Sequence, residues 1–309
     1  MAISISAPTY RRITIGALVA LTVIIVTGAA VRLTNSGLGC DDWPNCSNER
    51  FIDVSSTHAA IEQLNRFFTG VVGLAVIAAV LGSFVREGAR RRDLTWLSVL
   101  LVVGVLANAV LGGITVLVDL HPIAVQGHLL LSMFLISTGA VLVRRAGEPD
   151  DTPRVRVVTP TTQKLTYALF AMTCLAIFNG TLVTGAGPHA GDENAERLDI
   201  AIPTVARLHG VTVLVTLAVA LVLAWRIQRR PDDRAALVGV MSTWLFLGVL
   251  QAALGYVQYL NGVPALLVGI HVAGASAVMI TSTFVVLDTT RPKGALVSRG
   301  APSELLSTA

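Results

Sequence analysis

The sequence predicts an all-α membrane protein of eight transmembrane helices, arranged as two parallel-repeat four-helix bundles with both termini cytoplasmic. Three observations predict it: eight apolar runs, an uneven spread of Lys and Arg over alternate loops, and an internal repeat. Composition bounds the class first. Of 309 residues, 53% are hydrophobic and 14% charged, and mean hydropathy is +0.70. These values exclude a soluble globular enzyme, a disordered chain and a coiled coil. The net charge of +4 follows from loop arginines, so no nucleic-acid partner is expected.

The apolar runs lie at 13–33, 67–85, 94–118, 122–143, 165–184, 204–225, 235–258 and 264–287. At 1.5 Å per residue each can cross a hydrocarbon layer about 30 Å thick. Each must be helical, because lipid offers the backbone no other hydrogen-bond partner. None alternates with period two, as the strands of a membrane barrel do. The first run is longer than the apolar segment of a secretory signal. Basic residues set the orientation. With the N-terminus inside, the inside segments hold 18 of the 23 Lys and Arg. The outside segments hold Arg32, Arg50, Arg66, Arg197 and Arg207.

The repeat needs no gaps within its blocks. Asn65–Arg86 matches His209–Arg230, and Leu111–His128 matches Leu254–His271. Leu33-Thr-Asn-Ser-Gly37 likewise resembles Val183-Thr-Gly-Ala-Gly187. The halves are 1–150 and 164–290, with a cytoplasmic linker at 151–163 and a tail at 291–309. Four crossings per half make the repeat parallel.

Four equivalent positions emerge: Asn65, His128, His209 and His271, on helices 2, 4, 6 and 8. Each lies near the outer end of its helix, about 10 Å deep at most. The predicted site is therefore in the outer half of the bilayer. Ionisable groups at membrane depth mark function. Two neutral imidazoles from two helices commonly ligate a haem iron, and His209 with His271 is the complete pair. The plainer alternative is that each histidine hydrogen-bonds between helices. The N-terminal half has His128 but Asn65 where the repeat has His209. Glu62, Asn65 and Arg66 share one helical face. Glu62 either complements the positive start of its helix or faces the bundle interior as an acid/base group beside His128.

Arg32 and Arg66 could meet carboxylates of a substrate or cofactor, or snorkel to the interface. Cys40 and Cys46 flank Asp-Asp-Trp-Pro-Asn in the first outer loop. A disulfide there would close a small loop, as a staple or as an exchanging redox pair. Cys174 reads as packing, and His58, His121 and His189 as loop or rim residues. No Walker A, dinucleotide-binding or zincin motif is present.

At these residues the chain resembles the haem A synthase family. The matching pieces are Arg32-Leu-Thr-Asn-Ser-Gly-Leu with Asp42-Trp-Pro and the loop cysteines, Ile61-Glu with Asn65-Arg, and His128. Thr184-Gly-Ala-Gly-Pro-His-Ala-Gly-Asp, Arg207-Leu-His-Gly and His271 complete the set. The resemblance implies a bacterial cell-membrane oxidoreductase that converts a ring methyl of haem O to a formyl group, giving haem A for cytochrome oxidase. It implies haem b as cofactor, ligated by His209 and His271. Substrate haem is implied near Glu62 and His128, with Asn65 and Arg66 beside it, and a Cys40–Cys46 disulfide. Haem O, membrane lipid, haem O synthase and an electron donor are the expected partners. Two departures matter. Many members have histidine at the Asn65 position, so His128 acts alone or with a residue such as His58. Some bacterial members carry a second cysteine pair, which residues 185–204 lack. The competing classes are a di-haem electron-transfer protein such as a quinol oxidoreductase, a transporter, and a non-catalytic haem carrier.

Overall fold

The computed structural model describes residues 4–48, 50–150 and 153–293. It holds eight long helices: α1 (Ala7–Leu33), α2 (Thr57–Val85), α3 (Arg92–Leu117), α4 (Pro122–Ala146), α5 (Pro160–Ala186), α6 (Ile202–Gln228), α7 (Pro231–Leu260) and α8 (Ala265–Leu287). All eight are long and apolar enough to cross a membrane. Large apolar side chains such as Leu74, Trp96, Leu106, Leu221 and Phe246 are exposed along them. That is the pattern of helices whose outer faces meet lipid rather than water.

Helix starts are set by local chemistry. Ser6 and Ser56 cap α1 and α2, accepting from the N–H of Thr9 and Ala59. Proline occupies the first turn of α1, α4, α5, α6 and α7, where its missing N–H costs nothing. The largest departure from the apolar runs is at α2, which begins ten residues before 67. Its first turns are polar, and they are helical because they pack beneath the loop 34–56: Ala59, Glu62 and Gln63 are buried there.

In each half, consecutive helices pack side by side and the first also packs on the fourth. The halves meet where α8 packs on α1 and α4, and α4 on α5. Polar contacts bridge this seam, as they commonly do between membrane helices. Ser137 and Thr283 share a hydrogen bond of 2.8 Å, Gln126 donates to Thr181 at 2.5 Å, and Arg144 pairs with Asp288 at 2.5 Å. Desolvation pushes the Asp288 carboxyl up, against the pull of Arg144, Arg291 and Arg154.

An unforeseen element lies at the end opposite the loop 34–56. Strand β1 (Arg154–Arg156) pairs antiparallel with β2 (Thr290–Pro292). It ties the segment between the halves to the end of α8. Nearby, hydrogen bonds from Arg86 hold the Asp150 carboxyl below its ordinary range.

Candidate functional site

A cavity of about 490 Å³ opens among the first four helices, within the usual size range of small-molecule sites. Its wall includes Glu62, Asn65, Arg66, His128, Arg32 and Trp43. Thr181 and Thr184 of α5, with Gly191 and Glu196 of the loop 187–201, close one side.

Glu62 is not a helix cap, since Ser56 fills that role. It lies beneath the loop 34–56. Its Oε2 accepts the Cys40 N–H at 2.8 Å. Its Oε1 accepts from Arg66 Nε at 3.1 Å and Nη2 at 2.7 Å. Arg66 then donates to the carbonyls of Asn45 at 2.8 Å and Asp42 at 3.0 Å. The ion pair thus holds the loop by its backbone. The Cys40–Cys46 disulfide closes the same loop, with the Asp41 N–H donating to the Cys46 carbonyl at 3.0 Å. Arg66 is therefore used inward and does not snorkel.

His128 reaches the cavity from α4. Its Nδ1 is buried without a hydrogen-bond partner, and its ring lies against Gly112 of α3. A Cβ at 112 would come within 3.0 Å of its Cε1. Asn65 turns toward α1, its Oδ1 accepting from Thr27 Oγ1 at 2.8 Å. His58 is held by Ser36 Oγ at 2.9 Å and is not part of the cavity wall. It does not join His128. His189 Nε2 donates to the Val263 carbonyl at 2.8 Å, and His121 lies 3.6 Å from exposed Glu196. Cys174 packs against the core of the first half.

In the second half, α6 and α8 bring His209 and His271 together with ring centroids 6.4 Å apart, inclined at 74°. An imidazole nitrogen binds a transition metal at about 2 Å, so one metal between two such rings sets their centres about 6 Å apart. His209 Nδ1 meets the Ala176 carbonyl at 3.0 Å. As a donor there it leaves Nε2 unprotonated, the form a metal needs. His271 Nδ1 is buried and unpartnered. Both rings lie against glycines: a Cβ at Gly180 would sit 3.2 Å from His209 Cε1, and one at Gly255 would sit 3.0 Å from His271 Cε1. Among the described residues, no three His, Cys, Asp or Glu gather to hold a bare ion. Two imidazoles with no further protein ligand suit a metal whose other positions are filled by a macrocycle. The donor set fits haem.

Arg32, in the last turn of α1, donates through Nε to the His189 carbonyl. It too lines the cavity instead of extending away from the bundle.

Two further wall residues, Trp43 and Asn108, were not among the candidate site residues, although Trp43 stands in the Asp42-Trp-Pro piece of the resemblance. The Trp43 indole lies flat enough against α3 that a Cβ on Gly113 would run into its ring. Asn108 donates to Ser132 Oγ at 2.9 Å and leaves Oδ1 buried and unpaired beside His128. Gly113→Ala is expected to displace Trp43 from the wall. Overpacking of this kind costs about 1–3 kcal/mol, and the midpoint of thermal unfolding in detergent should fall accordingly.

A family model described as COX15-CtaA, cytochrome oxidase assembly protein, matches residues 11–284. The chain is 25% identical over 318 residues to Heme A synthase of Shewanella oneidensis, covering 85% of this chain and 92% of that one. It is 26% identical over 282 residues to Heme A synthase of Listeria welshimeri, covering 87% and 90%. It is 26% identical over 285 residues to the enzyme of the same name from Listeria monocytogenes, also covering 87% and 90%.

Proposed function

Because the chain belongs to the COX15-CtaA family of cytochrome oxidase assembly proteins, we propose that it is a haem A synthase, oxidising a ring methyl of haem O to a formyl group. One observation carries the division of labour: the cavity with a carboxylate and an imidazole in its wall lies in one half, and the paired imidazoles lie in the other. In this reading the halves 1–150 and 164–290 are a duplicated pair of four-helix units in a bacterial cell membrane. Both termini are cytoplasmic and the site is in the outer half of the bilayer. Haem O synthase and an electron donor are the partners this reaction calls for.

His209 and His271 would hold haem b, and when bound that group supplies electron transfer. The remaining work falls to side chains of the first half. His128, fixed against Gly112, offers Nε2 as an axial ligand to the substrate. Asn65 occupies the position of a second imidazole without replacing it, since its oxygen is used by Thr27. Glu62 holds or moves a proton at its carboxylate oxygens as the methyl is oxidised. Arg66 fixes the Glu62 carboxylate through two N–H donors, so its oxygens do not wander. Trp43 and Pro44 of the disulfide-closed loop form part of the cavity wall.

His128→Ala tests this assignment. Haem A formation should fall at least tenfold while the b-type absorption of the purified protein persists. Loss of both together would contradict separate sites.

A further inference from the structure

Two guanidiniums line the cavity, and they are not equivalent. Arg66 is neutralised by Glu62 at 2.7 Å. Arg32 has no carboxylate within ion-pair distance among the described residues, and the one hydrogen bond its side chain makes to them runs from Nε to the His189 carbonyl. Among the described residues, the four N–H donors on its terminal nitrogens have no acceptor. A cation at the last turn of a helix complements the negative helix end. That accounts for its place, not for its missing counter-ion. Glu196, the other carboxylate of the wall, is exposed and faces His121 instead. Arg197, on the loop that carries Glu196, is a further guanidinium near Arg32 and donates to the carbonyls of Pro188 and Ala195. Charge withdrawn from water without a partner is costly, so a cavity that keeps it is built to receive an anion.

The rest of the cavity says which kind. The Gly37 N–H donates to the Gly191 carbonyl at 2.9 Å and joins the two loops above Arg32. Beneath it, α1 presents Leu21, Ile24 and Ile25, which face Val72, Val105 and Leu135 across an apolar floor. Arg32 stands about 10–16 Å above that floor, by the rise of a helix. The cavity is cationic at one end and hydrocarbon-like at the other. Its occupant should carry carboxylates on one edge and an apolar tail away from them. In the repeat the residue matching Arg32 is Leu182, so this charge belongs to the first half alone.

We propose that Arg32 is the carboxylate clamp of the substrate cavity: its free fork binds a propionate of haem O, fixing which edge of the ring lies under the loops and which methyl is turned to Glu62. The inference rests on haem O being the substrate. A guanidinium fork matches a carboxylate in two parallel hydrogen bonds, which a lysine cannot do.

The test uses the purified full chain with its resident haem. It is titrated spectrally with ferric haem O and with haem O dimethyl ester, which lacks the charges. Wild type should bind the diacid about ten- to a hundredfold more tightly than the diester, the range for charge-assisted hydrogen bonds. Arg32→Gln should lose that factor on the diacid alone and bind both forms alike. A wild-type ratio in Arg32→Gln overturns the clamp, and excludes it equally if Arg32 serves a lipid phosphate. Persistence of the resident-haem spectrum shows the variant is folded. If that spectrum is lost, Arg32→Lys takes its place, and an undiminished ratio there overturns the proposal. Wild type binding neither form would instead overturn haem O as substrate. Equal binding of both would overturn the clamp and leave that reading standing.

Discussion

Glu62→Gln is expected to abolish haem A formation, by about a hundredfold or more, while leaving the resident haem in place. The substitution keeps volume and shape. Glu62 accepts the Cys40 N–H and Arg66 on different oxygens, so the single amide oxygen can keep one of these donors, and the loop 34–56 keeps part of its attachment. What is lost is a group that takes and returns a proton. The readouts are separable, because the His209–His271 pair lies outside the wall of the cavity that holds Glu62. Extracted haem should consist of haem b and unconverted haem O. Normal conversion by the variant would remove Glu62 from the chemistry and return it to the role of a loop anchor.

His271→Ala carries the second large effect. Removing one of the two imidazoles that would hold haem b leaves a cavity where the His271 ring packs against Gly255. Nothing nearby among the described residues can substitute, because no third His, Cys, Asp or Glu joins the pair. The purified variant should lose the b-type absorption, and haem A formation should fall with it. His209→Ala should behave alike, since the two rings share one separation of 6.4 Å. A b-type spectrum that survives in both variants would contradict the assignment of this pair as the cofactor ligands.

The eight helices were legible because hydrocarbon leaves the backbone one solution, and a run of about 20 apolar residues then reads directly as a span. The reach of α2 back to Thr57 was not, although Glu62, Asn65 and Arg66 already read as one helical face, because its first turns are helical through tertiary burial of Ala59, Glu62 and Gln63 under a loop, against a polar composition. The ribbon joining 154–156 to 290–292 was equally invisible, since three residues carry no periodicity. The meeting of His209 and His271 could be anticipated, as both lie near the outer ends of their helices and so fall at similar depth. The contrast between Arg32 and Arg66 could not. Both are basic residues near a helix end, and only the placement of Glu62 decides which one stays unpaired. Trp43 against Gly113 depends on a loop crossing to a third helix, which no local pattern records. The Cys40–Cys46 disulfide sits between these cases: its two cysteines are close in sequence, but its backbone contact with Glu62 is a tertiary fact.

The most direct measurement is of product. The full chain is expressed in a bacterial host that makes haem O but no haem A, and the membrane haems are extracted and separated. The account predicts haem A, together with haem b that remains with the purified protein. Haem b bound to the protein without any haem A, with an electron donor supplied, would contradict it and leave an electron-transfer protein or a carrier in its place.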